Sequence, residues 1–185
     1  DCPQRDERMG WTGDAQAFSG TACFNMDCAA FFEKYLHDMR LEQIKLDGAI
    51  PHVVPKVSVP GEASCAWADA ATIIPWTIYT FYGDKKLLSE QYPLMRDWAD
   101  WLYRNDEAHG ATRLWQNGFH FADWLALDGL TKSSFGGTDP YFAASAFYFY
   151  SVCLTHKAAA VLGLSEDAER FGELRDEIFE ALQRE

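Results

Sequence analysis

The sequence predicts an all-α fold in which helices pair around a toroid. Three observations predict it. Apolar residues recur at spacings of three and four along six separate stretches of the 185-residue chain. Short turns marked by glycine alternate with long irregular connections, so helices are joined tightly at one end and loosely at the other. No stretch shows the sustained apolar–polar alternation of a strand; Val53-Val54 and Val57-Ser58-Val59 suffice only for short extended pieces. In a toroid of paired helices the long connections gather on one face and build a cleft there.

The elements follow in order. Pro3, Gly10 and Gly13 punctuate an opening loop. A first helix is expected from Asp14, with Phe18, Ala22 and Cys23 on one face. Asp27 is placed to cap a second, in which the apolar positions Phe31, Phe32, Tyr35, Leu36 and Met39 recur at three and four. It runs to about Leu46, where Asp47-Gly48 ends it. Residues 48–65 form a long loop holding Pro51, Pro55, Pro60 and Gly61, of a length that is usually functional or disordered in a compact domain. A third helix is expected over Trp67–Tyr82 with Pro75 inside it. Gly83-Asp84 stops it and caps a fourth, Lys85 to about Arg104. Leu88, Tyr92, Met95, Trp98, Trp101 and Leu102 give that fourth helix its apolar stripe, so Trp98 and Trp101 read as core. A second irregular stretch, residues 105–139, carries Gly110, Gly118, Gly129, Gly136 and Gly137. The fifth helix spans Pro140–Leu162 and ends at Gly163. The sixth starts at Ser165 and reaches the last residue, with Leu174, Ile178, Phe179 and Leu182 inward. It is left without a partner, which predicts a domain cut near its middle.

Composition narrows the function. Lys plus Arg number 16 and Asp plus Glu 28, a formal charge of −12. Such a surface repels phosphate, which argues against nucleic acid and anionic membranes as partners and leaves neutral substrates. The longest apolar stretch, Ala143–Leu154, is too short to span a bilayer and contains Ser145 and Ser151. Aromatic residues make up 15% of the chain, surface on which sugar rings stack, or equally bulk that fills a core. Cys2, Cys23, Cys28, Cys65 and Cys153 are odd in number and show no metal-ligand spacing. They read as buried thiols that leave the compartment open. The histidines show no metal spacing either, and neither a metal nor a cofactor is implied.

The densest chemistry is the opening segment, Asp1-Cys-Pro-Gln-Arg-Asp-Glu-Arg-Met-Gly-Trp-Thr-Gly-Asp14. Glycosidic cleavage needs a carboxylic acid to protonate the leaving oxygen and a second carboxylate to activate water or attack the sugar. Carboxylates and Arg grip hydroxyls, and an indole covers a C–H face. The segment holds that inventory. It equally suits a solvated turn with internal ion pairs, Asp14 then being only a helix N-cap.

The segment closely resembles the signature of the bacterial α-L-rhamnosidases, family 78 of the glycoside hydrolases. Three further segments fit in the same order: Asp47-Gly-Ala-Ile-Pro-His-Val-Val-Pro55, Trp67-Ala-Asp-Ala70 and Phe121-Ala-Asp-Trp-Leu-Ala126. The resemblance covers nearly the whole chain. It implies an (α/α)6 barrel, of which this chain is roughly the first half, and an inverting hydrolase releasing terminal α-L-rhamnose. By that resemblance Glu7 is the general acid, and Asp1, Arg5, Trp11 and Asp14 line the rhamnose pocket with Trp67 and Trp124. The general base is a glutamate later in the barrel that Glu62, Glu90 and Glu107 do not match. The remaining helices and β-sandwich domains of the same parent chain are the expected partners. The chain departs from the family at Ala68 and Ala122, where Gly is common. His52 is placed either to line the pocket or to cap a turn. Asp6 rivals Glu7 for the acid role, but adjacent side chains in a loop point apart, which leaves Asp6 to pair with Arg5 or Arg8. A non-catalytic glycan-binding toroid and another (α/α)6 carbohydrase, such as a glucosidase, are the alternatives.

Overall fold

The computed structural model describes residues 6–57, 59–127 and 133–185. Among the described residues there are six helices: α1 (Thr12–Asn25), α2 (Ala29–Lys45), α3 (Ala70–Tyr82), α4 (Lys85–Ala108), α5 (Pro140–Leu162) and α6 (Ser165–Leu182). Extended pairing is confined to isolated bridges, Trp11 with Val53, Pro51 with Glu62 and Trp124 with Phe135. The odd-numbered helices pack in a row, α1 on α3 and α3 on α5. The row is flanked by α2 and α4, which also touch each other, while α6 lies against α5. This is an arc of a helical-hairpin toroid.

The helix α3 lies at the middle of the arc and touches α1, α2, α4 and α5. Its sequence, AATIIPWTIYTFY, explains that position. Ala70 to Pro75 are all buried, as is Ile78, and a helix apolar around its whole circumference is stable only when surrounded. Pro75 does not interrupt it. The fully buried Trp98 of α4 stacks on Trp101 at 5.1 Å and meets Trp115 edge-on at 5.9 Å. Both α4 tryptophans therefore belong to the core, as their stripe predicted.

The helix ends obey local rules where the turns are short. Gly83 closes α3 with φ 68°, and the Asp84 carboxylate then accepts from the backbone N–H of Lys86 and Leu87 to open α4. Asp139 caps α5 in the same way through Tyr141 and Phe142, with Pro140 as the first helical residue. Side chains then tie the pairs together. Tyr92 of α4 donates to Asp167 of α6 at 2.7 Å. Arg113 joins Asp106 and Glu107 at the end of α4 to Glu177 of α6, at 2.8, 2.7 and 2.6 Å.

Several boundaries and faces differ from expectation. α1 starts at Thr12, so Asp14 is not its N-cap; Trp11 is, and Asp14 falls in the first turn, where the helix dipole favours a carboxylate. Cys28 occupies the N-cap of α2, although Asp27 still accepts from Ala29 N–H at 3.3 Å. α4 continues one turn past Arg104 to Ala108, and α6 stops at Leu182. α3 begins at Ala70, because Trp67–Asp69 form a turn held by a side-chain bond from Asp69 to Ala66 N–H. Phe179 was expected inward but is 47% exposed, and Phe18 and Phe31, on the apolar faces of α1 and α2, are each 57% exposed. Phe18 and Phe31 line a groove of about 780 Å³ between α1 and α2 together with Met26. Spacing identifies an apolar stripe, not what the stripe faces.

Candidate active site

Residues 10–12 of the opening motif are held by the loop that follows α2. Thr12 is fully buried; its N–H and hydroxyl both reach the His52 carbonyl at 3.0 Å. Val54 N–H donates to the Gly10 carbonyl at 2.9 Å. Gly10 is required there, since a β-carbon would stand 2.4 Å from the Val54 oxygen. Gly13 is required for a different reason. A β-carbon on it would enter the Trp67 indole at 2.6 Å, so the glycine lets that ring lie against the start of α1.

The third motif positions Trp67 from beneath. Asp69 is wholly buried and accepts from Ala66 N–H at 2.8 Å, Trp98 Nε1–H at 3.0 Å and Ser151 Oγ–H at 2.6 Å. Burial pushes its carboxyl up to about 6, against the pull of those donors. The fourth motif is held by a second buried polar group. Cys65 N–H donates to His120 Nδ1 at 3.1 Å, which fixes the neutral tautomer and leaves Nε2–H to donate to the Asn117 carbonyl at 2.9 Å. Burial holds His120 below the usual histidine range. Next to it, Phe121 N–H donates to Ser64 Oγ at 2.9 Å.

These supports bring together a cavity of about 350 Å³ lined by Glu7, Trp11, Gly13, Asp14, Ala17, Trp67, Phe121, Trp124 and Leu125. Five of the sequence-designated residues therefore meet: Glu7, Trp11, Asp14, Trp67 and Trp124. Asp1 and Arg5 lie outside the described residues. Asp6 is not among the lining residues, although its neighbour Glu7 is. His52 stands behind the wall, 4% exposed, its ring edge-on to Phe121 at 5.0 Å; burial holds it below the ordinary histidine range. Phe121, Leu125, Gly13 and Ala17 were not singled out in the sequence. Phe121 and Leu125 stood within a motif already quoted, but no spacing rule distinguishes a wall residue from its neighbours in an irregular loop.

The cavity has two kinds of lining. Glu7 and Asp14 are the carboxylates that line it among the described residues, and Trp11, Trp67, Phe121, Trp124 and Leu125 make the rest apolar. Trp124 is 39% exposed and is backed by Phe135 at 5.1 Å. Its loop is closed by Leu125 N–H to Ser134 O at 2.7 Å and by Thr138 Oγ1–H to Asp123 Oδ2 at 2.8 Å. Such a pocket can grip hydroxyls on one edge of a small polar ring and cover C–H surface on the other.

Residues 1–185 match the family model for the bacterial alpha-L-rhamnosidase six-hairpin glycosidase domain. The chain belongs to that family. It is similar to an alpha-L-rhamnosidase of Alteromonas sp. (strain LOR), with 41% identity over 175 residues, 92% of this chain and 18% of that protein. Among solved structures it resembles the native rhamnosidase of Aspergillus terreus at a TM-score of 0.87 and 34% identity, over 100% of this chain and 21% of that one. It also resembles the Streptomyces avermitilis alpha-L-rhamnosidase complexed with L-rhamnose, at a TM-score of 0.83 and 33% identity, over 97% of this chain and 16% of that one. The chain thus spans about a fifth of the length of its relatives. Among the described residues, no helix is long and apolar enough to cross a membrane, and no group of three His, Cys, Asp or Glu side chains stands ready to hold a metal ion.

Proposed function

We propose that these residues form part of the catalytic domain of an inverting α-L-rhamnosidase, in which the Glu7 carboxyl protonates the departing glycosidic oxygen. The observation that carries this reading is the single cavity in which Glu7 and Asp14 face Trp11, Trp67 and Trp124. L-rhamnose is a 6-deoxy sugar; it offers a methyl group and C–H faces to the indoles and its hydroxyls to the carboxylates. Asp14, together with Asp1 and Arg5 of the same motif, grips hydroxyls, and His52 supports the pocket from behind Phe121. Inversion needs a base across the ring to deprotonate water. That base is a glutamate in the part of the family fold beyond these residues, and the remaining helices and β-sandwich domains are partners within the same protein.

The test uses leaving-group dependence in the full-length protein. A general acid matters most when the departing oxygen is a poor leaving group. Glu7→Gln is expected to lower kcat/KM on an alkyl or sugar-linked rhamnoside by about a hundredfold or more, and clearly less on an activated aryl rhamnoside. Asp6→Asn is expected to show no difference between the two substrates. The opposite pattern exchanges the roles of the two residues, and absence of the pattern from both removes the acid from this motif. Cleavage of an aryl α-glucoside in preference to the rhamnoside, or of neither, defeats the rhamnosidase reading itself.

A further inference from the structure

We infer that Phe121 is a specificity-determining residue that sets the size of the apolar end of the cavity and so selects a methyl group over a hydroxymethyl group at C6 of the sugar. The inference rests on the rhamnoside reading above. Three observations carry it. First, Phe121 lines the cavity and is the ring at which its three tryptophans converge. Its centroid lies 4.5 Å from Trp67, 5.7 Å from Trp124 and 6.1 Å from Trp11, which come from three separate segments of the chain.

Second, the ring is backed by other rings and its backbone is held. His52 and Phe119 stand behind it, each at 5.0 Å. Its backbone N–H is bound to Ser64 Oγ at 2.9 Å. His120 on one side is fixed through both ring nitrogens, and Ala122 on the other holds a left-handed conformation at φ 45°. An added hydroxyl directed at the Phe121 ring would therefore lose its water against an apolar face.

Third, the 121–125 segment adds no carboxylate to the described lining. The described carboxylates of the cavity, Glu7 and Asp14, come from the opening loop and the first turn of α1, whereas the 121–125 segment presents Phe121, Trp124 and Leu125. A sugar whose hydroxyls meet the carboxylates must turn its least polar carbon toward the rings. In a 6-deoxy sugar that carbon is the methyl.

The experiment compares aryl α-L-rhamnoside with aryl α-L-mannoside, which differ only by a hydroxyl at C6, as substrates of the full-length protein. The readout is the ratio of the two kcat/KM values. That ratio is unaffected by the fraction of a variant that is folded, so a destabilised preparation remains informative. An apolar wall rejects an extra hydroxyl by roughly a hundredfold at most. Phe121→Ala is expected to lower the wild-type ratio by about tenfold, and Phe121→Leu, which keeps an apolar wall of similar reach, to retain most of it. An unchanged ratio in Phe121→Ala, with both rates reduced alike, overturns the inference and leaves the ring a structural support. Equal loss of the ratio in the Ala and Leu variants overturns it too, because bulk and apolarity would then not be what discriminates. Wild-type protein that cleaves neither glycoside sinks the rhamnoside reading together with this one, an outcome distinct from both.

Discussion

Asp84 and Asp69 each occupy the residue before a helix, and they behave differently. Asp84, in the exposed turn before α4, accepts from Lys86 and Leu87, the local partners that a capping residue normally finds. Asp69, before α3, makes no side-chain cap. Its carboxylate reaches back to Ala66 and across to Trp98 and Ser151, residues on other elements. The contrast extends to the regions around them. The turns between paired helices use glycine or a capping aspartate and satisfy their own backbone. The cavity-side loops put Arg8, Ala63, Ala66, Ala122 and Leu125 at positive φ and leave the Nε1–H of Trp11 and Trp67 buried without a partner among the described residues. Such features are not confined to the cavity, since Asp47, Ala111 and Arg113 also hold positive φ and the Tyr35 and Tyr148 hydroxyls are also unpartnered among the described residues, but several of them stand at its walls.

The largest expected effect that tests this contrast is at Asp69. Asp69→Ala orphans two buried donors, Trp98 Nε1–H and Ala66 N–H, and should cost about 3 kcal/mol in chemical denaturation, together with loss of activity as Trp67 shifts. Loss of activity without loss of stability would make Asp69 a part of the chemistry and not of the scaffold. A smaller effect is expected from the buried histidines. His52 and His120 are held below their ordinary range, so the unfolded chain takes up protons first as pH falls through about 6.5. Their contribution is complete above that pH and is lost on acidification toward the folded values. Asp69 acts oppositely: with its carboxyl raised to about 6, the folded state binds the extra proton between that value and the ordinary 3.8, so stability gains there as pH falls. The unfolding midpoint should thus drop between pH 7.5 and 6 and level off below. His120→Asn, which keeps an acceptor for Cys65 N–H but cannot titrate, should flatten the upper limb; an unchanged slope would remove His120 from the account.

At the turn, Asp84→Ala should cost about 1 kcal/mol and leave kcat/KM untouched, because the cap serves only its own helix. A change in activity would mean that the two regions are coupled. The smallest effect is expected at Ala122. Relieving its left-handed backbone with Ala122→Gly gains about 1 kcal/mol, most of which the added freedom of the unfolded chain takes back, for a net change within about 0.5 kcal/mol. A larger gain would show that the methyl group is strained beyond its dihedral angle.

The same contrast explains what was legible in the sequence. α5 was placed at about Pro140 to Leu162, close to its observed bounds, because Gly163 is a local stop signal. All six helices were found from apolar spacing together with such stops. The start of α3 was misplaced because Asp69 bonds to Ala66, and no pattern along the chain announces a carboxylate turned backward. Phe18 and Phe31 have helical spacing, but spacing alone did not tell that they line a groove. At the cavity, family resemblance supplied Glu7, Trp11, Asp14, Trp67 and Trp124, and the structure brought all five together. It could not supply the place of His52, one ring behind the wall, or the centrality of Phe121, since both depend on how two distant loops meet.

Cys23 at the end of α1 and Cys28 at the start of α2 are both buried, with their sulfurs 3.5 Å apart and Tyr82 beside Cys28. Burial, reinforced by the neighbouring thiol, pushes Cys23 up to about 11, so at neutral pH the reactive thiolate is scarce. An alkylating reagent added to the folded protein therefore meets a thiol that is both shielded and protonated. Its rate of labelling reports how often the junction between the first two helices opens, and the protein carries its own clock for that event.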